Sequence, residues 1–314
     1  MITKTLDTIK IDAVISWVDG NGEIYKAKIA PYLKEQANAE RSFNSRYAQV
    51  DEIEYTVNSI LKYAAFVDTI YIVTDNQIPK FLNKSKSECK YDKVKIIDHN
   101  SIFKGLEHNL PTFNSRTIET CIHRIPELSE YFIYLNDDFF IINPTTKSDF
   151  FTENGFPILR GFWQKYESDK LFKKDKKEKA GHKKAQEKAA QLLGFKKLYR
   201  FKHTPHPIRK STLANYFNDN PGVFTKNIKY KFRNKEQFLP VALANHLEIK
   251  NGSCKIQNNL QLLYFRSYKK ALIWYKLKLN ISSKNKLFLG LQSLNKSPDN
   301  ILEYILGWLE KRTT

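Results

Sequence analysis

The chain has 314 residues, 41% of them hydrophobic and 13% aromatic, which provides for a sizeable core and excludes a sequence too polar to collapse. Lysine and arginine outnumber aspartate and glutamate 52 to 33, a formal net charge of +19, so phosphorylated substrates, other polyanions or an acidic membrane surface would be attracted to it. Cys89, Cys121 and Cys254 are dispersed and odd in number; they indicate neither a disulfide framework nor a cysteine-rich zinc site, and a reducing compartment fits best.

The opening residues, MITKTLDTIKID, carry no apolar core of signal-peptide length, and no later stretch has the uninterrupted apolar length of a membrane-spanning helix. The expectation is a cytoplasmic protein, soluble or peripherally bound. Glycosylation-type triplets at Asn83, Asn251 and Asn280 are read as coincidental in that setting.

Residues 11–18 form a short apolar run rich in β-branched side chains, as a buried strand requires. Ile53, Val57, Ile60, Leu61 and Ala64 recur at helical spacing, so residues 51–66 are expected to be a helix, with Asp51 and Glu54 as an acidic variant of the capping box. Further strands are expected at 69–74, 94–97 and 131–135. Between the last two, a helix should start near Asn114 or Ser115, turn Ile118, Ile122 and Ile125 inward, and stop before Pro126. This alternation of strands and helices reads as α/β.

Residues 169–200 are rich in Lys and Ala and carry few large apolar groups until Leu192, which reads as an exposed, Lys-rich helical insertion. Residues 271–279, ALIWYKLKL, suit either a membrane-surface helix or one packed on the core, and the core reading is preferred. Residues 299–312 place Ile301, Leu302, Ile305, Leu306 and Leu309 on one side, as in a terminal docking helix.

Each expected strand of the first half runs into a carboxylate: Asp19, Asp75, Asp98, and the pair Asp137 and Asp138. Ligands of open α/β sheets bind beyond the carboxyl ends of the strands, so these acids are expected to converge on one crevice. A single Asp after a strand is usually a turn former or a helix cap. Asn136-Asp137-Asp138 is different, because adjacent ionised carboxylates repel unless a cation or hydrogen-bond donors neutralise them. Magnesium, or manganese in its place, suits Asp137 and Asp138, since it takes a few carboxylate oxygens together with substrate phosphates.

A second cluster holds His203 and His206 between Lys202 and Arg209-Lys210. Pro205 argues against a regular helical metal pair, so acid–base work or phosphate contact is the better functional reading, against an ordinary loop with a hydrogen-bonded histidine. Arg233, in Lys231-Phe232-Arg233, suits the multi-oxygen face of a phosphate. The chain has no Walker-type loop, no dinucleotide-binding glycine fingerprint, no nucleophile elbow and no H-E-x-x-H. Glycosidase-type acid pairs stay open at this level. Nucleic-acid binding rests on charge alone, without a zinc finger, basic zipper or RRM signature, and is a remote alternative.

The segment IDAVISWVDG (11–20) resembles the opening motif of the Stealth family, the sugar-phosphate transferases of bacterial capsule synthesis, related to lysosomal-enzyme N-acetylglucosamine-1-phosphotransferase. Residues 46–143 resemble that family's second region, through YIVTDNQIP (71–79), LPTFNSRTIET (110–120) and HRIPELSEYFIYLNDDFFI (123–141). HTPHPIRKSTL (203–213) and KYKFRN (229–234) resemble its third region. At 288–293 the chain has FLGLQS where members carry a Cys-Leu-Asn-Asp type motif.

The resemblance implies a Rossmann-like, glycosyltransferase-A-type mixed sheet with flanking helices. A nucleotide-sugar-binding α/β core over 1–168 would be followed by the Lys-rich insertion at 169–200 and the remainder of the catalytic domain, with its C-terminal helices, over 201–314. The implied reaction passes a sugar 1-phosphate from a nucleotide diphosphate sugar such as a UDP-sugar, with Mg²⁺, to a carbohydrate hydroxyl in capsule or surface polysaccharide synthesis. An ordinary glycosyltransferase forming a glycosidic bond is the alternative. By residue, Asp19, Asp75, Asn114 and Arg116 would contact the donor, and Asn136 and Asp138 would stand at the reaction centre. His203, with His206 as a secondary candidate, would serve acid–base or phosphate contact, and Arg233 would hold the transferred phosphate. The acceptor would be polymeric or lipid-linked, at the inner face of the cytoplasmic membrane, with no nucleic-acid partner.

Overall fold

The structure is a computed structural model that describes residues 6–33, 50–84, 89–169 and 181–314. Residues 46–49 of the second region, residues 170–180 of the Lys-rich segment and Ser85 of the first glycosylation-type triplet lie outside the described residues.

Its elements, in chain order, are β1 (Ile11–Ser16), α1 (Glu23–Leu33), α2 (Glu52–Tyr63), β2 (Val67–Thr74), α3 (Lys80–Lys84), β3 (Val94–Asp98), α4 (His99–Ile102), α5 (Ser115–Cys121), β4 (Tyr131–Asn136) and β5 (Phe139–Ile141). There follow β6 (Ile158–Gln164), α6 (His182–Leu192), β7 (Leu198–Phe201), β8 (His206–Arg209), α7 (Lys210–Asp219), α8 (Pro221–Ile228) and α9 (Pro240–Lys250). The chain ends through β9 (Lys255–Gln257), β10 (Leu262–Phe265), α10 (Leu272–Ile281), β11 (Phe288–Leu291) and α11 (Asp299–Thr313).

Alternate side chains of a strand leave on opposite faces of the sheet, and in β1 one set is Ile11, Ala13 and Ile15 while the other holds Val14 between Asp12 and Ser16. Val14 joins Tyr71, Val73, Phe132 and Tyr134 in a core closed by Ile118 and Cys121 of α5 and by Val241 and Leu243 of α9. Ile11, Ala13 and Ile15 join Ile70, Ile72, Ile133 and Leu135 in a second core closed by Ile53, Val57 and Ile60 of α2. A strand buried on both faces reads as a continuous apolar run, which is why these strands were legible.

The main sheet has the order β3-β2-β1-β4-β8. β1 runs parallel to both β2 and β4, β2 runs parallel to β3, and β8 is antiparallel to β4. This is the Rossmann-like half-sheet order with an antiparallel edge, and the order reverses between β1 and β4, where open α/β sheets bind their ligands. Two three-stranded sheets flank it: β10-β11-β5 and β7-β6-β9. The mixed α/β class with helices on both faces is thus the one expected.

Several local expectations change on folding. Asp51 adopts a left-handed backbone, φ 59°, and makes no side-chain cap; instead the carboxylate of Glu52 accepts from the Val50 N–H at 2.7 Å. The described part of the Lys-rich segment is not an exposed helix. Ala185, Ala189 and Ala190 of α6 are buried, and the Ala185 carbonyl accepts from the Leu239 N–H at the start of α9. Small side chains are what let two helices approach so closely, so a face without large apolar groups still enters the core. α11 docks as expected, with Ile301, Ile305 and Leu309 buried. α10 is only half a core helix: Tyr275 and Leu279 are buried, while Ile273, Trp274, Leu277 and Ile281 are exposed. No helix among the described residues is long and apolar enough to cross a membrane.

Candidate active site

The register places the carboxyl ends of β1, β2 and β4 side by side, with Ser16 opposite both Val73 and Asn136. Beyond them opens a cavity of about 270 Å³. Its floor is Ser16, Trp17, Val18 and Val73 from the strand ends, with Asn136, Asp137 and Asp138 from the turn between β4 and β5. His203, Arg233 and Glu52 complete the polar wall, together with Ser115 and, from the turn after β11, Gln292 and Ser293.

Long-range packing delivers the distant groups. β8 is antiparallel to β4 and begins with His206 opposite Tyr134, so the residues just before it arrive at the carboxyl end of β4. His203 therefore sits over the Asn-Asp-Asp turn, its ring 5.2 Å from Phe139 and 4.6 Å from His182. Arg233 is brought in by a loop docked on the start of α5: the Phe113 N–H donates to the Lys231 carbonyl at 2.8 Å, and Asn114 and Thr117 both donate to the Tyr230 carbonyl. The Arg233 guanidinium donates to Ser115 at 2.8 Å. Sequence separations of about a hundred residues thus close around one hollow.

Electrostatics set the cavity apart from the rest of the surface. Asp137 and Asp138 are half-buried, and burial pushes both up, Asp138 to about 7, with the Glu52 carboxylate adding repulsion. Glu52 is itself raised by burial. Three acids line one hollow, and burial together with their mutual repulsion makes each costly to ionise. Burial pushes His203 down to about 4, assisted by Arg233, so the ring is neutral near pH 7 with a free lone pair. His182 is lowered further by burial and by His203.

The chemistry of this donor set fits a divalent cation of magnesium type. Among the described residues no group of three or more His, Cys, Asp or Glu forms a ready cage, but magnesium is usually held by one or two carboxylates and substrate phosphates. Asp137 and Asp138 are the groups that would hold it. The Thr56 hydroxyl donates to the Asp137 carbonyl at 2.6 Å and the Leu291 N–H to the Asp138 carbonyl at 3.1 Å, which pins the turn from two sides.

The remaining expected residues lie outside this cavity or brace it. His206 is buried, its ring 4.6 Å from Phe201, and burial holds it near 3. Asn114 caps α5 and spends its amide on Tyr230 and Gln237, so it lines the cavity while fixing the Arg233 loop. Arg116 is buried and donates to the carbonyls of Asn234 and Gly181. Asp19 accepts from the Asn21 N–H within its own turn, and Asp75 pairs with Lys28 at 2.6 Å. Asp98 caps α4. The expected convergence of all the strand-end acids is therefore restricted to the Asn-Asp-Asp turn.

Two acids went unread in the sequence. Glu52 passed as a first-turn residue of α2, and Glu119 as one more polar residue on α5. Burial pushes Glu119 up to about 7 although Arg233 and Arg116 stand nearby, and its Oε2 finds no hydrogen-bond partner among the described residues. Nothing in the local pattern marks either one, because the packing of α2 brings Glu52 to the cavity and that of α5 buries Glu119 behind Arg233 and Ser115. The turn after β11, where FLGLQS departs from the family motif, also lines the cavity: Gln292 accepts from the Tyr264 hydroxyl at 2.6 Å.

Residues 46–159 match the family model of Stealth protein CR2, conserved region 2. Over 154 residues the chain is 42% identical to capsular polysaccharide phosphotransferase fcs1 of Haemophilus influenzae, covering 48% of this chain and 40% of that protein. It is 44% identical over 149 residues to exopolysaccharide phosphotransferase cps2G of Lactiplantibacillus plantarum, covering 47% and 41%. An exopolysaccharide phosphotransferase of Streptomyces coelicolor is 29% identical over 232 residues, 74% of this chain and 42% of that protein. The chain thus spans less than half the length of these curated relatives. Among solved structures it aligns with mouse xyloside xylosyltransferase 1 at 10% identity, over 90% of this chain and 97% of that one, with a TM-score of 0.43. Residues 46–159 are thus similar to the second conserved region of the Stealth proteins, and about half of the chain is similar to capsular polysaccharide phosphotransferases.

Proposed function

We propose that this chain transfers a sugar 1-phosphate from a nucleotide diphosphate sugar to a carbohydrate hydroxyl, forming a phosphodiester in capsule or surface polysaccharide synthesis. The observation that carries the reading is the meeting of the Asn-Asp-Asp turn, His203 and Arg233 around one cavity at the point where the strand order reverses. The relatives' names, phosphotransferases of capsular and exopolysaccharides, support the same class.

In this reading the acceptor oxygen attacks the β-phosphorus of the donor. A new P–O bond forms, the bond from that phosphorus to the bridging oxygen breaks, and the nucleoside monophosphate leaves with the bonding pair. The proton of the acceptor hydroxyl goes to His203, whose ring is neutral near pH 7. An incoming pyrophosphate offsets Arg233 and makes that ring more basic as the reaction begins. Arg233 faces the equatorial oxygens, where phosphoryl transfer concentrates charge. A magnesium or manganese ion held by Asp137 and Asp138 would neutralise pyrophosphate charge. Asn136 orients the acceptor or donor by its amide. Asp19, Asp75, Asn114 and Arg116 shape the donor side, the last two by holding the loop that carries Arg233. We place the reaction in the cytoplasm, with a polymeric or lipid-linked acceptor at the inner face of the membrane.

The released nucleotide decides the matter. Purified chain, a panel of nucleotide sugars, Mg²⁺ and a saccharide acceptor should yield a nucleoside monophosphate, and phosphorus NMR should show a diester. Release of a nucleoside diphosphate instead would move the reading to an ordinary glycosyltransferase, with attack at the anomeric carbon.

A further inference from the structure

α10 exposes large apolar side chains that the rest of the described residues leave uncovered. Ile273 is 61% exposed, Leu277 53%, Ile281 62% and Trp274 37%. With about 100° per residue, these four occupy an arc of about 100° on the helix. Lys276 lies about 60° beyond one edge of the arc and Lys278 about 40° beyond the other. The opposite side is fastened to the core by Tyr275 and Leu279, both fully buried, so the helix cannot roll to hide its apolar ridge.

The segment that carries the ridge has charge of one sign, the acids nearest in sequence being Asp299 and Glu303 of α11, which packs on the core side. Residues 266–298 contain no Asp or Glu, while Arg266, Lys269, Lys270, Lys276, Lys278, Lys284 and Lys286 surround the helix. Arg266, Lys269, Lys270 and Lys284 are exposed at its two ends. An apolar ridge between lysines is the pattern of a helix lying in the plane of a membrane interface, with its apolar side among the acyl chains and its cations among acidic headgroups. A second copy of this face would bring cation against cation, which argues against self-pairing.

We propose that the exposed face of α10 docks this protein onto an anionic lipid surface. The surface is read independently of the reaction in the cavity, yet it bears on it. The Trp274 ring lies 5.7 Å from that of Phe265 at the end of β10, and the Phe265 carbonyl accepts from the N–H of Gln292, which lines the cavity. Docking through α10 therefore holds a wall of the cavity close to the bilayer, where lipid-linked or membrane-held acceptors would be met.

The test uses the full chain and vesicles, flotation with phosphatidylglycerol-rich membranes being compared with phosphatidylcholine alone. Co-flotation is expected with the anionic vesicles only and should weaken as salt rises. Lys276→Gln and Lys278→Gln should each weaken partitioning about fivefold, and Leu277→Ser at least about tenfold. Because these side chains are exposed or half-exposed, an unchanged melting temperature is expected to accompany each loss. Three results would overturn the proposal: absence of flotation by the parent chain, undiminished flotation of Leu277→Ser combined with Ile281→Ser, or light scattering that shows a dimer which those substitutions split. Nucleotide release with a soluble acceptor reports the reaction separately, so failure of transfer leaves the vesicle result standing.

Discussion

The turn after β4 and the turns after β2 and β3 begin from the same local chemistry, an aspartate at the end of a parallel strand, and they end in opposite states. Asp98 accepts from the N–H groups of Asn76 and Asn100, and Asp75 is paired with Lys28. Asp137 and Asp138 face a cavity beside a third acid, Glu52, where burial and mutual repulsion raise them. The difference teaches that position at a strand end nominates a carboxylate, whereas burial beside other acids at a cavity marks the one whose charge a ligand would relieve.

That contrast can be broken first at the cavity itself. Arg233→Ala and His203→Ala should each lower transfer by about 10²–10⁴-fold with the fold retained, as read from initial rates and thermal melting. Full activity in both would dissolve the site. Next, Asp138→Asn should abolish the response of transfer to added Mg²⁺, yet melt higher than the parent at alkaline pH in the absence of divalent cations. The sign follows from the raised carboxyl, about 7 against an ordinary 3.8: ionising it in place costs stability that the amide does not. A variant that melts lower under those conditions would mean the carboxylate is already satisfied.

A smaller effect sharpens the comparison at Glu119. The folded chain holds this proton up to about 7, against 4.5 for an ordinary glutamate. It therefore binds more protons than the unfolded chain, and the stabilisation, on the order of 1–3 kcal/mol, is full at low pH and lost as pH rises from 4.5 towards 7. Glu119→Gln should flatten that part of the curve of melting temperature against pH; an unchanged slope would assign the dependence elsewhere. Smallest of all, Asp98→Ala should cost about 1 kcal/mol, as loss of a helix cap does, and leave transfer untouched. A large loss of activity there would return the strand-end acids to one common crevice.

Much of the frame could be read before folding. Strands β1 to β4 fall within a residue or two of their expected bounds, and α2, α5 and α11 lie where the apolar period places them. The misreadings have a common origin. Asp51 and Glu54 match a capping pattern, but the chain enters α2 through a left-handed residue. The Ala-rich face of α6 looks too weak to be buried, but α9 supplies a close partner. The Asn-Asp-Asp turn, His203 and Arg233, nominated from residue type and resemblance, line one cavity, whereas Glu52, which lines it too, and the buried Glu119 carried no local mark.

Periodicity, turn chemistry and charge are properties of neighbouring residues, so the order of strands and helices in the first half, the basic character and the candidate groups were decided by the sequence alone. Which partners those groups meet was decided by contacts between distant segments: Lys28 with Asp75, Arg233 with Ser115, His203 over Phe139. The physical reason is that ionisation and reactivity depend on desolvation and on charges within a few ångströms, and folding fixes those distances.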